Sequence, residues 1–174
     1  KTKSGRPYTY PEKKYYRKSL VVELDDFISN NPLSIITLCY NYKKSLQLFI
    51  NERISVTEDW CFFRGLLTTT DILKINTVTV NINDHSLRTV KTTAALDFCQ
   101  DNTITAEFFI KNYAIDLSTK KKILCYTHLL NAHVALGEKK EKESWSYFRK
   151  GIIFPYFAMN KLFYSYFIKR MLAK

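Results

Sequence analysis

The sequence predicts an all-α fold of about eight helices in antiparallel pairs, arranged as a helical bundle or as a short α-solenoid. Apolar residues recur at helical spacing along most of the 174 residues, and helix-capping residues precede several of these runs. Glycine and proline number only four each, too few for the many tight turns of a β-sandwich or barrel. We expect at most one short β element.

The chain is expected to form one helical domain, residues 19–174, preceded by an extended arm, residues 1–18. A chain of this length buries about 70% of its unfolded surface when it folds. The 46% hydrophobic and 15% aromatic content disfavours disorder. In the arm, Pro7 and Pro11 oppose a helix.

Helical spacing and caps place the eight predicted helices. Four begin at Leu20, at Pro32 after the N-cap Asn31, after Thr57 and after Ser86. The other four begin near Thr105, after Ser118, before Trp145 and at Pro155, and they are expected to end at about Tyr113, Gly137, Ile152 and Leu172. Val78, Val80 and Ile82 alternate with polar residues as a strand does, and we expect an extended connection or a short hairpin there.

One predicted helix pair, from Lys121 to Pro155, has some similarity to a tetratricopeptide hairpin. The positions that carry the similarity are Tyr126, Leu129, Gly137, Phe148 and Pro155. Leu130 stands where that motif has a small residue, and Lys142 replaces its usual alanine. No sequence repeat accompanies the pair, so the chain is assigned to no family.

Positive charge is concentrated at the two ends of the chain. The net charge is +11. Residues 1–19 carry seven bases against one acid, and residues 20–118 carry eight bases against twelve acids. Residues 138–174 carry nine bases against three acids. Such a distribution either serves solubility or forms a basic face that meets nucleic acid, an anionic membrane or an acidic protein.

The arm interleaves bases with tyrosines, a pattern that suits contact with phosphates and stacking on nucleobases. Its Gly5-Arg6-Pro7 tripeptide resembles the core of an AT-hook, although Ser4 and Tyr8 depart from that motif. The alternative hypothesis for this chain is therefore a DNA- or RNA-binding domain. The residues expected to carry it are Arg6, Lys13, Lys14, Arg17, Lys18, Lys120, Lys121 and Lys122.

Aromatic residues surround the predicted C-terminal helix, between Phe154 and Phe167, on all sides. Such a helix is either central to the core, or it packs one face on the domain and docks a partner with the other. The leading hypothesis is a non-catalytic interaction module, an adaptor or a subunit of a larger complex, that binds another protein or a second copy of itself. The predicted interface residues are Trp145, Phe148, Phe157, Phe163, Tyr164 and Phe167.

The other residue groups that could form a metal site or a catalytic site are interpreted as structural. Cys125, His128 and His133 lie close in sequence, but a structural zinc site usually shows two close ligand pairs. Asp84-His85-Ser86 cannot form a catalytic triad because consecutive side chains diverge. The adjacent acids Asp25-Asp26 and Glu58-Asp59 point to different faces of their helices. We expect no catalytic residues, metal, cofactor or small-molecule substrate.

The four cysteines, Cys39, Cys61, Cys99 and Cys125, are widely spaced among apolar residues. We predict buried, reduced thiols rather than a disulfide framework. The sequence contains no Asn-x-Ser/Thr glycosylation site and no uncharged apolar stretch of 18 residues. We therefore expect a soluble, intracellular protein without a membrane span, in the nucleus or the cytoplasm.

Overall fold

The structure, a computed structural model, describes residues 21, 22, 24, 28, 53, 54, 56–69, 72, 73 and 93–172. Its elements are β1 (Val21–Val22), α1 (Glu58–Thr69), β2 (Ile72–Leu73), α2 (Ala95–Asn112), α3 (Leu117–Gly137), α4 (Glu141–Ile152), a 3-10 helix (Pro155–Met159) and α5 (Lys161–Leu172). Helices dominate these residues, which confirms the all-α prediction for this part of the chain. The predicted arm and the predicted helix from Pro32 lie outside it.

The strand pair is small. Val21 pairs with Leu73 and Val22 with Ile72, in antiparallel register. The helix predicted from Leu20 is therefore wrong at Val21–Val22. The extended connection or short hairpin expected around Val78–Ile82 lies outside the described residues.

Helix α1 begins where its cap predicts. The carbonyl of Thr57 accepts hydrogen bonds from the amides of Trp60 and Cys61, at 3.1 and 3.3 Å. Glu58 and Asp59 follow in the first turn, where negative charge is favourable. The predicted start of this helix is confirmed.

Helix α2 runs uninterrupted where two helices were predicted, one through Phe98 and one near Thr105. Ala94 is extended (φ −62°, ψ 145°), so the first predicted helix is also wrong at that residue. Asp101 and Asn102 do not break the helix because both find partners across the fold. Asp101 Oδ2 accepts the Thr57 amide at 3.0 Å, and Asn102 Nδ2 donates to Asn131 Oδ1 at 2.8 Å.

Helix α3 has a different cap from the predicted Ser118. The carboxylate of Asp116 accepts the amide of Thr119 at 2.9 Å and also bonds the Thr119 hydroxyl. These bonds hold the pKa of Asp116 below its ordinary value. Ser118 instead bonds the Tyr156 hydroxyl at 2.8 Å, which ties the start of α3 to the 3-10 helix.

The turn from α3 to α4 is a Schellman motif. The amide of Lys140 donates to the carbonyl of Ala135 at 2.9 Å, and that of Lys139 donates to Leu136 at 3.1 Å. Gly137 is the last helical residue, as predicted, but the left-handed position is Lys139, with φ 58°. The tight turn makes α3 and α4 an antiparallel pair.

Helix α3 lies at the centre, packed against α2, α4 and α5. Two apolar clusters form the core. The first joins α1, α2 and α3 with Ile28 and Ile54, and its helical members are Cys61, Ala106, Phe109, Ile123 and Tyr126. The second joins α3, α4 and α5 through Cys125, Leu129, Ala132, Phe148 and Tyr166. This second cluster positions the surface described next.

Candidate docking surface

The C-terminal aromatic segment forms two helices rather than the one predicted from Pro155. The chain is extended at Asn160 (φ −97°, ψ 121°), between the 3-10 helix and α5. The Asn160 side-chain oxygen accepts a hydrogen bond from the amide of Leu162 at 2.9 Å. It satisfies one of the free amides at the start of α5. The predicted continuous helix is corrected at this residue.

The inner face of α5 stacks aromatic rings on α4. Tyr166 is fully buried, and its ring lies 4.4 Å from that of Phe148, nearly parallel to it. Phe148 also stacks on Phe163 at 5.7 Å and meets Phe167 edge-on at 5.3 Å. Such pairs add about 0.5–1.5 kcal/mol each beyond the area that they bury. They fix the orientation of α5.

A chain of hydrogen bonds crosses the same contact. Ser144 Oγ donates to the carbonyl of Ala132 at 2.9 Å, so it accepts the proton of the Tyr166 hydroxyl, also at 2.9 Å. Arg170 Nη1 in turn donates to the Tyr166 hydroxyl oxygen at 3.2 Å. These bonds connect the core at α3 to the surface at Arg170.

His133 provides a second link between α3 and α5. Its Nε2 lies 2.7 Å from the carbonyl oxygen of Leu162 and 3.0 Å from Ser165 Oγ. A carbonyl oxygen only accepts, so Nε2 carries a proton and donates. Burial lowers the pKa of His133 below its ordinary value, and the hydrogen bond to Leu162 partly offsets that shift.

The outer face of α5 is apolar, and no other element of the described residues covers it. We define the outer face as Tyr164, Phe167, Ile168 and Met171, which are 56, 41, 54 and 70% exposed. Their spacing of i, i+3, i+4 and i+7 places them in one stripe along two turns. Large apolar side chains scattered singly on a surface are ordinary, whereas a continuous stripe of them is a candidate interaction site.

Trp145 of α4 extends the outer face into a groove. Its ring stacks on Phe148 at 5.4 Å and remains 38% exposed. The guanidinium carbon of Arg170 lies 4.8 Å from the centre of the same ring. Trp145, Phe167, Arg170 and Met171 line a shallow open groove between the start of α4 and the end of α5. We call it the Trp145 groove.

The six predicted interface residues divide into two groups. Trp145, Tyr164 and Phe167 are exposed, whereas Phe148 is 2% exposed and lies in the core. Phe157 and Phe163 are half-buried against the same core cluster. Phe148, Phe157 and Phe163 therefore support the surface rather than form it.

Sequence reasoning missed three residues of this surface: Ile168, Met171 and Arg170. Their spacing from Tyr164 and Phe167 was available as a signal. The aromatic residues on every side of the helix obscured which stripe faces outward.

The predicted nucleic-acid-binding residues are described only in part. Lys120, Lys121 and Lys122 occupy the first turns of α3, where Lys121 is exposed and the other two are half-buried. The five in the arm, Arg6, Lys13, Lys14, Arg17 and Lys18, lie outside the described residues. The structure therefore describes three of these eight predicted residues, and nucleic-acid binding by all eight stays a prediction.

The histidines and cysteines considered for zinc have separate surroundings. Cys125 packs in the second core cluster, and His133 bonds Leu162. His128 stacks between Tyr147 and Phe154, each at 6.4 Å. Burial and, less strongly, the charge of Lys150 lower the pKa of His128 to about 4. Within the described ranges, no three metal-ligating side chains come together.

Three of the four thiols are described, and the prediction for them is confirmed. Cys61, Cys99 and Cys125 are free and buried. Burial raises the pKa of each to about 11, which leaves them protonated and unreactive at neutral pH. Cys39 lies outside the described residues.

Comparison with protein-family models, curated proteins and solved structures finds no match to this chain. In the part of the chain that the structure describes, no helix combines the length and the apolar character needed to span a bilayer.

Proposed function

We propose that this chain is a protein-interaction module that docks a partner on the outer face of α5 and the Trp145 groove. The role is one of binding, as a subunit or an adaptor, rather than of catalysis. The observation that carries the proposal is the division of α5 into two apolar faces. The inner face packs on the core through Tyr166, whereas all four residues of the outer face are exposed.

The anchoring matters because docking is favoured by a surface that is already ordered. Ring stacking on Phe148, the Ser144–Tyr166 hydrogen bond and the His133–Leu162 hydrogen bond fix α5 before any partner arrives. A partner then does not have to order the helix, which reduces the entropic cost of association.

The composition of the surface matches that of binding hot spots. Trp, Tyr and Arg are enriched in such sites, and Phe and Met are enriched in interfaces more generally. Fully burying one large apolar side chain contributes about 1.5–3 kcal/mol. Covering the exposed parts of the four outer-face residues and Trp145 therefore contributes several kcal/mol toward binding, against the entropic cost of association.

Peptide display tests the proposal even though the partner is unidentified. A random peptide library is selected on the wild-type protein alone, and the selected peptides are then tested on Met171→Asp and on Trp145→Ala. The matched control is Leu117→Asp, because Leu117 is 67% exposed but lies at the start of α3. We expect selected peptides to lose about tenfold or more in affinity on Met171→Asp and on Trp145→Ala. Equal binding to wild type, Met171→Asp and Trp145→Ala would contradict the proposal.

A further inference from the structure

The end of the Trp145 groove carries a positioned cation. The Arg170 guanidinium is held by the Trp145 ring at 4.8 Å and by the Tyr166 hydroxyl at 3.2 Å. Arginine has five N–H donors, and the bond to Tyr166 uses one of them. No carboxylate of the described residues pairs with this side chain. Donors are therefore left for a carboxylate supplied from outside.

Basic residues outnumber acidic ones in the part of the chain that carries the groove, and its few acids lie on the α4 side. Residues 138–172 contain eight bases and three acids. The acids, Glu138, Glu141 and Glu143, all lie at or before the first turn of α4. Helix α5 has no acid, and its last turn carries Lys169 and Arg170. A positive surface attracts a negative partner and opposes a positive one.

The same charge disfavours a second copy as the occupant. Two such faces brought together would put Lys169 and Arg170 of both copies into one interface, to which α5 contributes no acid. Like charges that meet across an interface cost several kcal/mol.

The shape of the apolar surface points to a helix. An amphipathic helix lying alongside α5 could cover the stripe at i, i+3, i+4 and i+7 with its own apolar face. The Trp145 groove would then receive one side chain of that helix. We infer that the partner presents an acidic amphipathic helix, with apolar residues on the outer face of α5 and a carboxylate on Arg170. This inference rests on the proposed docking function and adds the chemistry of the partner.

Two synthetic helical peptides of about 16 residues test this inference. Both carry leucine and phenylalanine at i, i+3, i+4 and i+7; the flanking positions are glutamate in one and lysine in the other. A scrambled acidic peptide of the same composition controls for non-specific charge attraction. Binding to the full chain is measured by fluorescence anisotropy. We expect the acidic peptide to bind at least about tenfold more tightly than the basic and scrambled peptides.

The variant Arg170→Gln tests the assigned contact, and Lys169→Gln is its matched control. Lys169 is adjacent and exposed and does not line the groove, and its loss changes the net charge equally. The measured quantity is the ratio of the affinity for the acidic peptide to the affinity for the basic peptide. We expect Arg170→Gln to reduce this ratio by about tenfold and Lys169→Gln to reduce it by less than about threefold. Because the ratio is measured on one preparation, an unfolded fraction does not alter it.

Several results would overturn the inference. Failure of the acidic peptide to bind is one, and an unchanged ratio in Arg170→Gln is another. Dimerisation that Met171→Asp abolishes would assign the face to a second copy. Binding to vesicles of phosphatidylserine and phosphatidylcholine, but not to the acidic peptide, would assign it to a membrane surface. If display-selected peptides bind through Met171 without any acidic preference, the proposed docking function stands and only the acidic partner is rejected.

Discussion

At the scale of single residues, one close contact sets how α1 meets the end of α2. A Cβ added at Gly65 would lie 2.3 Å from the hydroxyl of Tyr113, a residue that is 7% exposed and packed on Phe109. The ring cannot move away without disturbing the first core cluster. Gly65 is therefore required for close approach rather than for a special backbone angle.

We predict that Gly65→Ala lowers the free energy of unfolding by about 1–3 kcal/mol, the usual cost of overpacking. The control is Gly137→Ala, since a Cβ there meets nothing within 4 Å. That variant should be neutral, or more stable by up to about 1 kcal/mol, because alanine favours the helix. Urea denaturation measures both, and equal effects of the two substitutions would contradict this account.

His128 gives a prediction about pH. Its Nδ1 is buried and has no hydrogen-bond partner among the described residues, and its pKa is lowered from 6.5 to about 4. The unfolded chain therefore takes up a proton at a pH at which the folded chain does not. The contribution of His128 to stability is full above pH 6.5 and is lost as the pH falls toward 4.

Replacing His128 with phenylalanine keeps a flat ring between Tyr147 and Phe154 and removes the titration. We expect His128→Phe to reduce the loss of stability between pH 6.5 and about 4. Chemical denaturation of both proteins across this range measures the difference. His133 contributes in the same direction, so some slope should remain. Parallel curves for wild type and variant would contradict the assignment.

At the scale of elements, the turn between α3 and α4 contains a strained position. Lys139 has φ 58°, which costs a residue with a Cβ about 1 kcal/mol. We predict that Lys139→Gly raises the free energy of unfolding by up to about that amount. Lys139→Ala removes the same charge but keeps a Cβ at φ 58°, so it should not stabilise the protein. Thermal melts compare the two, and an equal response to both substitutions would argue against strain at Lys139.

Individual elements also show what the sequence could predict. The cap residue Thr57 predicted the start of α1, and the spacing of Trp145, Phe148 and Ile152 predicted α4. Both predictions are correct because caps and amphipathic stripes are local signals. Helix α2 was divided wrongly because Asp101 and Asn102 are polar in the middle of a helix. Their partners, Thr57 and Asn131, are distant in sequence. Sequence patterns over a few neighbouring residues do not reveal hydrogen bonds to residues that are distant along the chain.

The sequence predicted an aromatic cluster in the C-terminal segment, but it did not predict which of its residues are exposed. The aromatic residues of the C-terminal segment pointed to a docking helix, and Trp145, Tyr164 and Phe167 are exposed. Phe148 was misplaced because its burial depends on stacking with Tyr166, a contact between two helices. A helix that is apolar on every side does not reveal its outer stripe, so Ile168 and Met171 were missed.

At the scale of the whole molecule, the net charge of +11 separates the two hypotheses for function. Non-specific attraction to nucleic acid weakens steeply with salt. If the charge serves an acidic protein partner, labelled DNA and RNA should bind weakly and lose that binding near physiological salt. Fluorescence anisotropy across salt concentrations measures this. Binding that persists at physiological salt and is lost on removing residues 1–18 would instead favour the nucleic-acid alternative.

The central claim is that a partner protein covers the outer face of α5, and photo-crosslinking at Met171 tests it most directly. A benzophenone amino acid replaces Met171 in the full chain, in the cells that make the protein. The control carries it at Leu117, which is similarly exposed (67% against 70%). We predict a discrete adduct with another protein from position 171 that is absent from position 117 and lost with Trp145→Ala. No adduct, or the same adducts from both positions, would contradict the claim.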